Sequence, residues 1–242
     1  DDILLESANL LRRSDKNGKV SYYDNFRNRV MFPIIDPRGN VIAFGGRVLD
    51  DSKPKYINTS DTLVYKKSNG VFALNFAKNG NDGKLIIAEG YMDVIALHQA
   101  GFDNAVASLG TSLTSGHASL LKRYTKEVYL TYDSDGAGVK AALRAIPILK
   151  EVGITTKIIN MRPYKDPDEF IKALGPEEFQ KRIDQAENSF LFEISVLQRS
   201  YDMKDPEGKT KFFQETARKI AEFEMEIERE NYIEAIAEKY QI

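Results

Sequence analysis

The 242-residue sequence predicts an α/β protein (α+β overall) with three successive parts, and three observations indicate this. Short apolar runs separated by turn residues dominate residues 1–80. Over residues 81–166, apolar runs alternate with helical stretches, which is the pattern of βαβ units and a parallel sheet. Over residues 167–242, apolar residues recur at three- and four-residue spacing, as in helices. We therefore predict a strand-rich N-terminal subdomain of mixed α/β type, a parallel-sheet domain and a C-terminal helical subdomain.

The N-terminal part contains a predicted β-hairpin. Apolar runs at residues 30–36 and 41–47 flank residues 36–40 (DPRGN), which place Pro and Gly where a turn needs them. The glycine pair at 45–46 predicts a bulge or a close approach of another group to the backbone. Residues 79–83 (NGNDG) are expected to form the loop into the next part.

The central part is expected to alternate strands with helices. The strand candidates are residues 85–88, 105–107, 128–132 and 156–159. The helices predicted between them are residues 91–100, 113–124 and 138–151. Ligands of such sheets bind beyond the carboxyl ends of the strands, so we expect the chemistry of this protein at that edge.

The C-terminal part is expected to be entirely helical. The predicted helices are residues 168–174, 177–199, 207–226 and 229–240. Aromatic clusters at 190–192 and 212–213 are expected to pack between these helices rather than to bind a cofactor.

The composition excludes several classes of protein. The absence of Cys excludes a disulfide scaffold, a cysteine zinc site and a thiolate nucleophile within this sequence. No apolar run reaches the roughly 18 residues of a membrane span, and the acidic start lacks a signal-peptide pattern. Because the sequence starts without Met and in mid-pattern, we expect it to be a piece of a longer protein.

Charge is distributed unevenly along the chain. The net charge is −2, yet residues 12–67 contain twelve basic and six acidic residues. Residues 212–242 contain eight Glu and four basic residues. The basic stretch is the kind of surface that binds a polyanion, and from charge alone a merely solvated face is an equal alternative.

Carboxylates follow two of the predicted strands. Glu89 comes after one strand, and Asp133 and Asp135 come after another, each group next to a glycine. Parallel strands end at one edge, so these three side chains are expected to converge there. Oxygen ligands without His or Cys favour Mg²⁺ or Mn²⁺ over Zn²⁺. A helix cap and a polar turn would account for either element alone, but the pair on neighbouring strands favours a metal site.

Two motifs in the central part resemble a known fold family. Residues 89–94 (EGYMDV) and 133–137 (DSDGA) are similar to the signature of Toprim domains, which occur in bacterial primases, topoisomerases, some nucleases and recombination proteins. The resemblance implies a Toprim-type metal-binding domain over residues 81–166. It also implies that Glu89, Asp133 and Asp135 are catalytic and bind the metal.

Further motifs narrow the resemblance to the catalytic core of bacterial DnaG-type DNA primases, over about residues 9–175. They are residues 27–34 (RNRVMFPI), 44–47 (FGGR), 54–58 (PKYIN), 109–114 (LGTSLT) and 165–169 (KDPDE). Residues 72–75 (FALN) depart from the family's usual Tyr-Gly pattern. The C-terminal tail is similar to the family only in being helical. We expect neither the family's zinc-binding domain nor its helicase-interacting domain in this sequence.

This resemblance implies an RNA polymerase, a nucleotidyltransferase that makes short RNA primers from NTPs on single-stranded DNA at the bacterial, cytoplasmic replication fork. It implies two or more Mg²⁺ or Mn²⁺ ions, no zinc, and additional metal ligands at Asp93, Asp166 and Asp168. Nucleotide or template contacts are expected from six residues: Arg47, Lys55, Tyr56, Asn58, Lys66 and Lys67.

The expected partners are the DNA template, NTPs and guanosine tetraphosphate-type inhibitors. Through the full-length protein we also expect the replicative helicase and single-strand-binding protein, with no membrane contact and a monomeric fragment. Two alternatives stay open, namely another Toprim enzyme that cleaves phosphodiesters and a non-catalytic module that senses nucleotides or metals. The basic motifs at 44–47 and 54–58 favour the polymerase, because a simple sensor would not need them.

Overall fold

A computed structural model describes residues 1–79, 83–110 and 112–242 of the chain. Contacts divide the chain into two compact units, Asp1–Ala186 and Glu187–Ile242. The α/β class is confirmed. The boundaries expected at 80/81 and 166/167 stay predictions, and the expected loop at 79–83 lies largely outside the described residues.

The described part of the first unit contains nine strands and seven helices. The strands are β1 (Leu11–Lys16), β2 (Lys19–Asp24), β3 (Val30–Ile35), β4 (Val41–Arg47), β5 (Tyr56–Asn58), β6 (Lys84–Ala88), β7 (Ala105–Ala107), β8 (Glu127–Thr131) and β9 (Thr155–Ile158). The helices are α1 (Asp2–Ser7), α2 (Leu74–Ala77), α3 (Tyr91–Gln99), α4 (Ser115–Leu121), α5 (Gly136–Glu151), α6 (Pro167–Leu174) and α7 (Pro176–Asp184).

Two antiparallel sheets form the N-terminal region. The predicted hairpin is confirmed as β3 and β4, and β5 joins β4 to complete a three-stranded sheet, while β1 and β2 form a separate hairpin. The register shift lies between Ile34 and Ile35 rather than at the glycine pair. The close approach expected there is confirmed, because Tyr91 packs directly against the backbone of Gly45.

The parallel sheet forms the centre of the first unit. Its strands run in the order β9-β8-β6-β7, so that β6 and β8, the two strands followed by the candidate carboxylates, are direct neighbours. Residues such as Ile87 and Leu130 are almost fully buried. Because both faces of the sheet are covered, polar and apolar residues do not alternate along these strands. Because β6 and β8 are adjacent and parallel, the segments after Ala88 and Thr131 leave the sheet side by side.

The contact between Gly45 and Tyr91 predicts a measurable stability effect. A Cβ added to Gly45 would lie 2.1 Å from the Tyr91 hydroxyl and 2.3 Å from Cζ. The Tyr91 ring is stacked on Phe32 and cannot easily move, since it is only 3% exposed. We expect Gly45→Ala to lower the free energy of unfolding by about 1–3 kcal/mol in urea denaturation.

Gly136→Ala is the matched control for this prediction. No atom lies within 4 Å of the Cβ position at Gly136, in the first turn of α5. Its effect is expected to stay within about 0.5 kcal/mol. Equal effects of the two substitutions would contradict the steric argument.

The second unit consists of one very short strand and three helices. They are β10 (Glu187–Asn188), α8 (Ser189–Gln198), α9 (Pro206–Ala221) and α10 (Glu226–Tyr240). Phe212 and Ile194 lie fully buried in its core. No helix in the described ranges has both the length and the apolar character needed to cross a bilayer.

The continuous helix predicted over residues 177–199 is wrong. The segment is two helices, α7 and α8, separated by a break before Ser189. The side chain of Asn188 accepts hydrogen bonds from the backbone N–H groups of Phe190 and Leu191, and so begins α8 as a helix cap. Apolar spacing continues through the break, so periodicity alone could not reveal it.

Candidate active site

A cavity of about 360 Å³ lies at the carboxyl edge of the parallel sheet, and it brings together nine of the twelve candidate site residues. They are Arg47, Lys55, Tyr56, Asn58, Glu89, Asp93, Asp133, Asp166 and Asp168. Four parts of the chain bring them together: the loop after β6 with the first turn of α3, the loop after β8, the start of α6, and the edge of the antiparallel sheet at β4 and β5. The cavity therefore has a carboxylate side, contributed by the parallel-sheet edge and the starts of α3 and α6, and a cationic side, contributed by Arg47 and Lys55 at the antiparallel sheet.

Glu89 and Asp133 are joined through the backbone. Glu89 Oε1 accepts a hydrogen bond of 3.0 Å from the backbone N–H of Asp133. Asp133 Oδ2 lies 3.3 Å from the ammonium group of Lys165. Burial is the largest cause that raises the pKa of both carboxyl groups. The cluster thus carries excess negative charge that Lys165 offsets only in part.

Asp93 is the most perturbed carboxyl group in the cavity. Burial, followed by the charges of Asp166 and Asp133, raises its pKa to about 7. Its Oδ2 accepts a hydrogen bond of 3.2 Å from the backbone N–H of Gly90, because Asp93 lies in the first turn of α3. A pKa this high means that the carboxylate form lacks a counter-charge.

Asp135 does not line this cavity. Convergence of Asp135 with Asp133 was expected because residues two apart in an extended strand point to the same side, but strand β8 ends at Thr131, before both residues. Instead Asp135 caps α5, and its Oδ1 accepts hydrogen bonds from the backbone N–H groups of Ala137 and Gly138. These hydrogen bonds lower the pKa of Asp135.

The cationic side of the cavity is built by cross-strand pairing. Arg47 of β4 and Tyr56 of β5 are register partners, and the guanidinium lies 5.6 Å from the centre of the Tyr56 ring. Arg47 Nε is buried and has no hydrogen-bond partner among the described residues. The Tyr91 hydroxyl donates to Asn58 Oδ1 over 2.8 Å and so ties this sheet to the start of α3. An unpaired guanidinium N–H on a residue that lines a cavity suits an anion.

Lys66 and Lys67 lie outside the cavity, and their predicted role as nucleotide or template contacts stays a prediction. Lys66 is exposed, and the Lys67 backbone carbonyl accepts a hydrogen bond from His117 Nε2. Lys165 lines the cavity although it was not among the predicted site residues. It begins the motif at residues 165–169, and that motif was the signal that could have found it.

The donor set of the cavity suits a hard divalent cation. Among the residues that the structure describes, its lining has no His or Cys and has five carboxylates: Glu89, Asp93, Asp133, Asp166 and Asp168. Yet within the described ranges no three such side chains are placed to hold one ion together. Lys165 contacts Asp133 and Lys172 contacts Asp168, so these carboxylates would have to exchange an ammonium for the ion.

The raised pKa of Asp93 predicts a pH-dependent stability of the metal-free chain. A folded-state pKa near 7 against an ordinary 3.8 means that the folded state holds the proton more tightly, so stability falls as pH rises between these values. At pH 8 the penalty amounts to at most about 4 kcal/mol. We expect Asp93→Asn to unfold at higher urea than the parent at pH 8 in EDTA, with little difference at pH 4.

Asp51→Asn, on an exposed loop, controls for loss of one negative charge. A benefit of Asp93→Asn that is the same at both pH values would contradict the assignment of the shift to Asp93.

Comparison with known proteins gives matches along nearly the whole chain. Residues 1–78 match the family described as the DNA primase catalytic core, N-terminal domain, and residues 86–171 match the Toprim-like family. The solved DnaG primase catalytic domain bound to ssDNA is 36% identical, with a TM-score of 0.83, and the match covers 100% of this chain and 76% of that one. The chain belongs to the DnaG primase family. The resemblance of its motifs to DnaG-type primases is therefore confirmed.

Other DnaG relatives agree with this assignment. The E. coli primase catalytic core is 36% identical, with a TM-score of 0.82, and the match covers 98% of this chain and 77% of that structure. The DNA primase of Clostridium acetobutylicum is 44% identical over 239 residues, which are 98% of this chain and 39% of that protein. The DnaG-type chain thus spans well under half the length of the curated relatives it matches.

The expectation that the helicase-interacting domain has no counterpart is wrong. Residues 190–242 match the family described as the DnaB-helicase binding domain of primase. Helical periodicity was visible in this tail, but periodicity describes a fold and does not identify a partner.

Proposed function

We propose that this chain joins ribonucleotides into short RNA primers on a single-stranded DNA template. One observation carries the proposal: a single cavity is lined both by Arg47 and Lys55 and by the carboxylates around Glu89. A nucleoside triphosphate needs both sides, cations for its phosphate oxygens and carboxylates for divalent ions at the reacting phosphorus. The similarity of this chain to DNA primases supports the same activity.

The carboxylates would hold the metal, with Glu89, Asp133 and Asp93 as the main ligands. Asp166 and Asp168 line the same side, and Asp135 would have to give up its helix-capping contacts to join them. Bound Mg²⁺ or Mn²⁺ would lower the pKa of the attacking 3′-hydroxyl and would neutralise charge on the phosphates. The Toprim match supports the use of divalent metal, and two or more ions are part of this proposal.

The cationic side would orient the incoming nucleotide. Arg47 presents a buried Nε that has no hydrogen-bond partner among the residues the structure describes, and the Lys55 ammonium lies 6.0 Å from the centre of the Tyr56 ring. We assign both to the triphosphate, Tyr56 to stacking against the base or sugar, and Asn58 to a sugar hydroxyl. Lys66 and Lys67 remain candidates for template phosphates.

The partners follow from this assignment. A pocket that recognises phosphates more than bases would also take guanosine tetraphosphate, which would then compete with NTPs. The match over residues 190–242 supports replicative helicase as a partner, and we further propose single-strand-binding protein and a place at the bacterial replication fork in the cytoplasm.

A direct assay tests the proposal. The purified chain is incubated with Mn²⁺ or Mg²⁺, NTPs and single-stranded DNA, and labelled products are separated on a gel. Short RNA is the expected product. Cleavage of DNA without RNA synthesis would favour a Toprim nuclease, and nucleotide binding with neither reaction would favour a sensing module.

A further inference from the structure

A second cavity borders Glu89 on the side of α5. Its volume is about 310 Å³, within the size range of small-molecule sites, and its described lining includes Tyr132, Ala137 and Arg144. Glu89 and Gly110 line this cavity and the candidate active site as well. Glu89 therefore adjoins two spaces, of which the proposed incoming nucleotide uses only one.

Tyr132 brings an unpaired donor to this second cavity. The residue follows β8 directly, and its hydroxyl is buried without a hydrogen-bond partner among the described residues. Buried hydroxyl groups are normally paired, so an unpaired one that lines a cavity points to a missing partner. Burial raises the pKa of the Tyr132 phenol, so the group is protonated at neutral pH and can donate to an anionic oxygen.

Arg144 brings a guanidinium to the same cavity. It lies in α5, is exposed, and makes no hydrogen bond or ion pair with any residue that the structure describes. Guanidinium groups bind phosphate with two parallel hydrogen bonds. One buried hydroxyl donor and one free guanidinium beside a carboxylate therefore suit a phosphate group rather than an apolar ligand.

We propose that this second cavity holds the nucleotide whose 3′-hydroxyl attacks, with Arg144 and Tyr132 bound to its phosphate oxygens. The inference rests on the proposed function, because forming the first bond of a primer requires two nucleotides at once. Glu89 adjoins both cavities, so a 3′-oxygen from one and an α-phosphorus from the other would both lie beside the same carboxylate. The 3′-oxygen forms a bond to the α-phosphorus, the bond from that phosphorus to the oxygen of the β-phosphate breaks, pyrophosphate leaves, and the hydroxyl proton passes to solvent.

Nucleotide stoichiometry tests the inference without requiring activity. Isothermal titration calorimetry with Mg²⁺ uses a triphosphate in which a methylene group replaces the oxygen between the α- and β-phosphorus. We expect two equivalents bound by the parent chain, and one lost, or weakened about tenfold, in Arg144→Gln and in Tyr132→Phe. Lys140→Gln, one turn earlier on α5, is the matched control and keeps both equivalents. One equivalent in the parent, or no change in Arg144→Gln, overturns the inference.

A kinetic experiment identifies the nucleotide and excludes the template. Dinucleotide synthesis with two different bases gives a separate KM for each nucleotide. Arg144→Gln is expected to raise the KM of the 5′ nucleotide about tenfold and to leave the KM of the 3′ nucleotide unchanged. Reduced single-stranded DNA binding in fluorescence anisotropy, with both KM values unchanged, assigns Arg144 to the template and overturns the inference. Two bound equivalents without product in the parent chain would contradict the proposed function instead.

Discussion

Replacing Asp133 by Asn is expected to reduce nucleotide joining at least about a thousandfold while the fold is retained. Asp133 lines the cavity beside Glu89, with its backbone N–H bonded to Glu89 Oε1 and its own carboxylate against Lys165. Asn keeps the shape but loses the charge that a divalent cation needs. Primer synthesis on single-stranded DNA, measured at saturating Mn²⁺ and NTP, gives the size of the loss.

The same variant separates a metal ligand from a structural residue. Burial raises the pKa of Asp133, so removing its charge from a repelling cluster should leave the thermal midpoint of the metal-free chain unchanged or higher. Mn²⁺ affinity, followed by electron paramagnetic resonance, should fall together with activity. Glu151→Gln, at the exposed end of α5, should alter neither quantity. Normal Mn²⁺ affinity and normal activity in Asp133→Asn would remove Asp133 from the metal site.

The parallel sheet was predictable because burial simplifies its sequence. Strands β6 to β9 begin and end within one residue of the expected bounds, since short continuous apolar runs bounded by polar residues are typical of strands covered on both faces. The β1–β2 hairpin was missed for the opposite reason. Its strands, such as Leu11–Lys16, are almost entirely solvent-exposed, so they carry no apolar alternation that could reveal them.

The carboxylates of the site were found from their position after strands, but their side-chain directions were not. Asp135 turns toward the N–H groups that begin α5, and this depends on where β8 ends rather than on residue type. Lys165 and Arg144 are far in sequence from Glu89, and only the tertiary fold brings Lys165 to Asp133. Sequence patterns report on residues that are close together in the chain. The contacts between side chains from different loops at the sheet edge could therefore be identified only from the structure.

Removal of the Lys55 charge should affect the triphosphate more than the template. Lys55 lines the same cavity as Arg47 and the carboxylates. An incoming NTP presents about four negative charges there, whereas a nucleic-acid strand presents one per phosphate. A lost charge-assisted contact is worth about 1.5–3 kcal/mol. We therefore expect Lys55→Ala to raise the apparent KM for NTP about ten- to a hundredfold, measured at saturating template, with a smaller change in template affinity.

Arg47→Lys extends this test from charge to geometry. Lysine keeps the charge of Arg47 but lacks its fork of N–H donors. The substitution also removes the buried Nε, for which the described part of the chain offers no hydrogen-bond partner. We expect a rise in the KM for NTP here as well, while Lys53→Ala, on the exposed loop before β5, serves as the matched control. Equal losses of NTP and template affinity in both variants would assign Arg47 and Lys55 to a nucleic-acid track. The cavity would then lose its triphosphate site, and its carboxylates would fit phosphodiester cleavage better than nucleotide joining.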